Sequence, residues 1–399
     1  MNIFLIMKTI YCPIHKYMKF EKEVIDFIDT YEFQRLRNIK QLGVCYYVFP
    51  GASHNRFEHS LGVAHLSYKI IKGLQTRQPE LKITNRTCIL IKIAGLLHDI
   101  GHVCFSHFFD NIFLPKFVKN HKYQHHEQRS CAILDYMIQK YNFNFSDDEI
   151  NFIKDVIRPR EENKGYLYQI VANYKSGLDC DKIDYLLRDC LNVGVNYIID
   201  FDRLIDDGKV IEDELCFPYK IRFSIYHLYY TRYCLHKQVY THPVTTAIEY
   251  MIMDILTHAK DYLDIPRKLD DIEFYLNLTD NILEKIYSNQ ELQESRKLLD
   301  RIYRRDFYRL YKSGLDEYNE KDKALLRKND EVIVQKINLD LSKGNKNPIE
   351  FVSFFNSKSP NSKFNISAIE ASGLVPENCK ETITRIYFKN LKPSIEKKL

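Results

Sequence analysis

The chain has 399 residues, 45% of them hydrophobic and 28% charged, with a formal net charge of +5. That length holds one large or two ordinary domains with a sizeable core. The mild charge suits a site for phosphates and does not by itself indicate a nucleic-acid coat. Ten scattered cysteines, none paired as CxxC, argue against a zinc ribbon or a disulfide framework. No apolar run approaches the roughly 20 residues of a membrane span. IFLIM is too short for a signal core and has no basic lead-in. A soluble, intracellular protein, cytoplasmic or nuclear, with no membrane partner is expected.

In chain order, the pattern from about residue 20 to 265 is mostly helical. GASHN reads as a loop, and FEHSLGVAHLSYKIIKGL places Leu61, His65, Tyr68 and Leu74 near helical spacing. TNRTCILIKIAGLLHD, capped by Thr84 or Asn85 and stopped near Gly101, is apolar on nearly every side and predicts a central helix. RPREENKG reads as a loop, and DKIDYLLRDCLN and SIYHLYYTRYCLHKQVY as helices. After a charged helix around LQESRKLLDRIYRRDFYRLYKSG, the segments EVIVQKINLDL, PIEFVSFFN and ETITRIYFKN are rich in β-formers. This predicts a helical core over 1–265 and a smaller α+β lobe over 266–399. KSGLDEYNEKDKALLRKND and SKGNKNP read as solvated faces and loops.

The stretch AGLLHDIGHVCFSH sets His98 beside Asp99 at the end of an apolar helix and adds His102 and His107. An unpaired polar group there costs roughly 2–7 kcal/mol, and a metal ion would satisfy several at once. Neighbouring His and Asp diverge by about 100° around a helix and converge on one ion only near its end, which Gly101 supplies. A divalent metal needs donors from other segments too. His59 in GASHNRFEHS and Asp181 in GLDCDKIDYLLRD are the candidates. Two further stripes repeat an i, i+4, i+8 spacing that lines up one helix face: Asp181, Tyr185 and Asp189, and Arg232, His236 and Tyr240.

The order His, His-Asp, Asp is that of the HD phosphohydrolase superfamily. VFPGASHNRFEHSLGV, AGLLHDIGHVCFSHFFD, HHEQRS, GLDCDKIDYLLRDC and RYCLHKQVYTH, in that order, resemble the SAM-and-HD-domain deoxynucleoside triphosphate triphosphohydrolases. The resemblance runs through NPIEFVSFF and ITRIYFK, from Met7 to about Lys392, without an N-terminal SAM module. It implies a mainly α fold, with an HD-domain helical core and the smaller C-terminal α+β lobe. It also implies hydrolysis of dNTPs, dGTP included, to a deoxynucleoside and inorganic triphosphate.

By that resemblance His59, His98, Asp99 and Asp181 hold a divalent transition metal (Fe, Mn or Zn), joined in some members by Mg²⁺. His107, Asp110, His126 and Glu127 form the proton-handling set, with His107 nearest the α-phosphate, Asp110 as its orienter and His126 in the catalytic position. His121 and His125 are expected at the surface. Arg56, His102, Lys182 and Arg232 match phosphate-gripping positions, and His236 lies on the same stripe as Arg232. Tyr185 and Asp189 match contacts to the sugar 3′ side, Gln41 bonds the sugar, and Leu42 and Tyr240 crowd the 2′ position against ribonucleotides.

Lys8, Asp29, Gln34 and Arg37 match the guanine-reading positions of a GTP or dGTP activator site between subunits, so a homo-oligomer, dimer to tetramer, is implied. Pro243 and Gln238 stand where basic residues are usual in a second activator pocket, and Arg129 stands where glycine is usual. Two rivals remain. An HD phosphodiesterase acting on another nucleotide would carry GYP or an acidic pair after HD, where this chain has IGH. A nucleotide-gated scaffold or weak single-stranded nucleic-acid binder would show gaps in the ligand or proton-handling sets, and the sequence has none.

Overall fold

The computed structural model describes residues 7–162, 165–196, 201–265, 267–315, 331–376 and 378–390. It opens with a hairpin that the sequence reading missed. β1 (Met7–Cys12) pairs antiparallel with β2 (Lys16–Glu21), from Met7↔Glu21 to Cys12↔Lys16. Short helices α1 (Lys22–Ile28) and α2 (Tyr31–Gln34) lead into the long α3 (Arg56–Arg77). A capping box starts α3: Asn55 Oδ1 accepts from Glu58 N, and Glu58 Oε1 accepts from Asn55 N.

The predicted central helix is α4 (Asn85–Leu97), started by the Thr84 hydroxyl accepting from Thr87 N at 3.0 Å. Its residues from Leu90 to Leu97 are all buried. Even Lys92 is enclosed, and its ammonium donates to Lys19 O and Glu21 Oε2 in place of water. Then follow α5 (His126–Tyr141), α6 (Asp147–Ile157), α7 (Cys180–Val193) and α8 (Asp202–Asp207). A short antiparallel pair, β3 (Lys209–Ile211) and β4 (Glu214–Pro218), precedes α9 (Arg222–Leu235). α9 ends in a π-turn at His236–Tyr240, and α10 (Pro243–His258) follows.

Helices α11 (Ile272–Leu276), α12 (Ile282–Ser288) and α13 (Gln293–Tyr303) come next. The charged helix expected through YRLYKSG stops at Tyr303, and Arg309–Gly314 is strand β5. Phe307, Tyr308, Leu310 and Tyr311 favour strand, and β5 finds an antiparallel partner in β9 (Lys380–Phe388). β6 (Val332–Asp340) lies on the other side of β9. β7 (Ser353–Asn356) pairs with β8 (Ser359–Phe364) and, in parallel, with β4 through Cys216↔Ser353. One sheet thus takes two strands from each side of residue 266. The turn SKGNKNP is not wholly solvated, because Asn347 and Pro348 are buried. The lysine-rich stretch 316–330 and the last two residues before Gly165 of the RPREENKG loop lie outside the described residues.

The larger apolar core gathers α1, α3, α4, α5, α7 and α9. A second packs α10, α12 and α13 against the segment Val103–Leu114. All ten cysteines are free thiols. No helix among the described residues is long and apolar enough to cross a membrane.

Candidate active site

Three chain segments converge where the first turn of α3, the end of α4 and the first turn of α7 meet. His59, His98 and Asp181 direct ligand atoms to one point, all within 4.8 Å of one another. His59 Nε2 lies 3.1 Å from Asp181 Oδ1, and His98 Nε2 lies 3.5 Å from the same oxygen. Asp99 sits against both imidazoles, with Oδ2 3.5 Å from His59 Nε2 and Oδ1 3.5 Å from His98 Nε2. That carboxylate is also shared: Arg56 Nη1 donates to Oδ2, and His102 Nε2 and His126 Nε2 stand 3.5 and 3.6 Å from Oδ1.

A second layer fixes the rings. His98 Nδ1 donates to Gly95 O at 2.8 Å, so its other nitrogen is turned to the convergence point. His59 Nδ1 donates to Asp184 Oδ2 at 2.7 Å. Asp184 in turn accepts from His15 Nε2 at 2.6 Å and from Arg188 Nε and Nη2, both at 2.9 Å. The fit of α3 onto α7 depends on Gly62, where an added Cβ would stand 1.9 Å from Asp184 Oδ1. Asp184, His15 and Arg188 escaped the sequence reading. Asp184 and Arg188 were recoverable, at i+3 and i+7 from Asp181 on α7, but nothing local marks His15.

Charge follows this geometry. Burial opposes charge on His59, but Asp181, Asp184 and Asp99 outweigh it and hold its pKa near about 9. Burial likewise opposes charge on Asp99, which Arg56, His98 and His102 keep well below the carboxylate range; His59 and His98 do the same for Asp181. The donor set fits a divalent transition metal. His98 Nε2 is buried without a hydrogen-bond partner among the described residues, and its lone pair faces two carboxylates. A cation between them satisfies all three groups, and a second layer of this type is what imidazole metal ligands require.

Beside this set lies a second cluster, His102, His107 and His126. His102 and His126 stack at 3.8 Å between centroids, and His107 meets each edge-on. Asp110, on a π-turn at Phe109–Phe113, is expected to orient His107 but instead accepts from His126 N at 3.0 Å and His126 Nδ1 at 3.1 Å. Glu127 Oε2 is 3.6 Å from the same Nδ1. His126 is raised above the ordinary imidazole value: burial opposes this, but Glu127, Asp110 and Asp99 prevail. His107 keeps an exposed edge, and the atoms packed around the rest of it, with Arg56 and His126, lower it to about 4. His125 is exposed as expected, and His121 is half-buried beside Asp270.

The stripe on α7 meets the stripe that runs from α9 into the π-turn. Enclosure, Arg232, His107 and Lys182 lower His236 to about 3, and the His236 and Tyr240 rings meet edge-on at 4.9 Å. Tyr240 Oη donates to Asp189 Oδ2 at 2.5 Å, and His54, a residue missed within the GASHN loop, bonds Asp189 Oδ1 at 2.7 Å. Arg232 donates to Asp340 O at 3.1 Å, and Lys182 Nζ lies 3.4 Å from Asp179. Gln41 is buried and Leu42 half-buried, and Arg56 Nη2 donates to Gln41 O.

The residues expected to read an activator make local contacts with their neighbours. Lys8 Nζ bonds Asp29 at 2.8 and 2.9 Å, Gln34 donates to Ile28 O, and Arg37 donates to Gln34 Oε1 while covering the Phe57 ring.

This helical scaffold, with a His, His-Asp and Asp set at three helix ends, defines a metal-dependent HD domain, and the HD domain family matches residues 56–191. The chain is 36% identical to the deoxynucleoside triphosphate triphosphohydrolase SAMHD1 homolog of Dictyostelium discoideum, over 96% of this chain and 77% of that protein. It is 36% identical to human deoxynucleoside triphosphate triphosphohydrolase SAMHD1, over 96% of this chain and 71% of that one. An HD domain-containing protein of Acanthamoeba polyphaga mimivirus matches at 34%, over 96% of this chain and 92% of its own length. The chain belongs to the SAMHD1 family of deoxynucleoside triphosphate triphosphohydrolases.

Proposed function

We propose that this protein hydrolyses dNTPs, dGTP included, to a deoxynucleoside and inorganic triphosphate. The observation that carries the reading is the convergence of His59, His98 and Asp181, with Asp99 against them, directly beside the His102–His107–His126 cluster. Those four side chains would hold Fe, Mn or Zn, with Mg²⁺ as a second ion. When bound, such an ion lowers the pKa of water and polarises a phosphate oxygen.

The rest is the work of the chain. A water oxygen bonds the α-phosphorus as the bond to the 5′ oxygen breaks, and that departing oxygen is protonated by His126. Its pKa is raised above the ordinary imidazole value, which favours the charged ring, and Asp110 fixes that ring through Nδ1. His107, at about 4, is neutral there and serves as an acceptor beside the α-phosphate. Glu127 adds negative potential behind His126. Arg56, His102, Lys182, Arg232 and His236 line the triphosphate path. Gln41, Tyr185 and Asp189 read the sugar, and Leu42 and Tyr240 exclude a 2′-hydroxyl. Residues 266–399 act as a lobe that buttresses the catalytic core 1–265, with Asp280 accepting from Lys40 N and Phe105 N at 2.8 and 2.7 Å.

Lys8, Asp29, Gln34 and Arg37 form the site for a GTP or dGTP activator that drives assembly of copies of the chain. The test is incubation with each dNTP and Mn²⁺ or Mg²⁺, with and without GTP, while following triphosphate release. Mass measurement with and without dGTP reports the assembly. Release that survives the double change His98→Ala and Asp99→Ala would exclude the metal site, and no release from any dNTP would exclude the activity.

A further inference from the structure

Arg129, like Arg188, has no exposed surface, although it carries a full guanidinium. It sits in the first turn and a half of α5, where a helical side chain leans back toward the N-terminus. Its guanidinium therefore reaches the segments that carry the second histidine cluster. Nε donates to Gly101 O at 2.8 Å, in the loop between Asp99 and His102. Nη1 donates to Tyr123 O at 2.8 Å and Gln124 O at 3.2 Å, in the approach to His126. Nη2 donates to Asp110 Oδ1, whose other oxygen holds the ring and the amide of His126.

Room for this comes from Gly101, where a Cβ would stand 2.9 Å from that of Arg129 and 2.1 Å from His126 O. The planar fork of a guanidinium can bridge a carboxylate and three carbonyls at once, and lysine cannot. The partners are also the right ones. A buried guanidinium tied only to its own helix would be packing, whereas this one ties α5 to Gly101, to Asp110 and to the Tyr123–Gln124 segment that leads into His126.

We propose that Arg129 is a positioning residue of the proton relay: it clamps Asp110 so that Asp110 Oδ2 is held on His126 Nδ1. The proposal rests on the hydrolase reading above for its kinetic consequence, and its structural consequence stands apart from it.

The experiment is a double-mutant cycle on the full chain, with Arg129→Gln, Asp110→Asn and the pair, measured by kcat and KM for dGTP. Leu134→Ala, a buried change on the same helix, controls for loss of stability. The expected result is a fall of about tenfold or more in kcat for Arg129→Gln at nearly unchanged KM. The pair should be no slower than Asp110→Asn alone. A parallel NMR measurement follows the His126 Nδ1–H proton, expected to lose its exchange protection in Arg129→Gln and keep it in Leu134→Ala. Additive losses in kcat, a fall no larger than that of Leu134→Ala, or an unchanged Nδ1–H signal would each overturn the proposal. If the parent releases no triphosphate, the hydrolase reading fails, while the NMR arm still decides the role of Arg129. Arg129→Lys, which keeps the charge but not the fork, carries the same cycle if Arg129→Gln does not fold.

Discussion

The carboxylate of Asp184 holds the ring of His59 from behind, with Oδ2 2.7 Å from Nδ1, and so aims Nε2 at the point where His98 and Asp181 converge. Outer partners of this type set the orientation and basicity of an imidazole ligand, and losing one costs about 10–100-fold in metal affinity. Asp184→Asn should weaken metal binding by that factor with little change in helix content. Calorimetric titration of the metal-free protein with Mn²⁺ checks it, and an unchanged Kd would remove Asp184 from the site.

Arg188 should matter through stability. It is fully buried, and it donates twice to Asp184. Arg188→Met leaves that carboxylate buried with fewer partners, a change that costs about 3–5 kcal/mol in comparable pairs. Urea unfolding at neutral pH gives the number; a loss below 1 kcal/mol would mean that His15 and His59 suffice.

At Gly62, α3 lies against the Asp184 and Arg188 side chains of α7. A methyl group there would stand 1.9 Å from Asp184 Oδ1 and 2.7 Å from Arg188 Nη2, so Gly62→Ala must push α7 away or turn Asp184 aside. Overpacking of this kind costs about 1–3 kcal/mol. The same change should lower metal affinity, since it moves the group that orients His59. Full affinity in a destabilised variant would separate packing from ligand orientation.

Activity should fall as pH rises, along a limb that starts above 6.5, because His126 is raised above the ordinary imidazole value and must be protonated to act. His107 at about 4 does not titrate in that range, so His107→Gln should lower kcat without moving the limb. A shifted limb in kcat profiles would exchange the two roles. Stability runs the opposite way in acid. His236 is held at about 3 and unfolds to an ordinary imidazole near 6.5, so between those values the unfolded chain binds the extra proton. Stability should fall as pH drops from 6.5, with a shallower slope in His236→Gln, read as Tm against pH.

The residues legible in advance are those whose signal is local. Thr84 caps α4, and the stretch Leu90–Leu97, apolar but for Lys92, leaves no face for water; the helix stops at Leu97, short of Gly101. The strands β6, β7 and β9 were marked by β-branched and aromatic residues between turn formers. Arg309–Gly314 was not, because Arg309 and Lys312 continue the basic run of the helix before it and mask its strand-forming residues, which pair with β9. The order of His59, His98, Asp99 and Asp181 could be read because each lies at a helix end with its own sequence signature.

By itself, then, the sequence determined the helices, their caps and which side chains stand ready to bind a metal, since those depend on neighbours within a turn or two. Only the tertiary structure decided what holds them. His15 meets Asp184 across 169 residues, and Arg129 meets Asp110 across 19 and Gly101 across 28. Contacts between distant segments leave no period in the chain, so the clamp on the first imidazole and the brace on the relay came into view only when α3, α4, α5 and α7 were packed together.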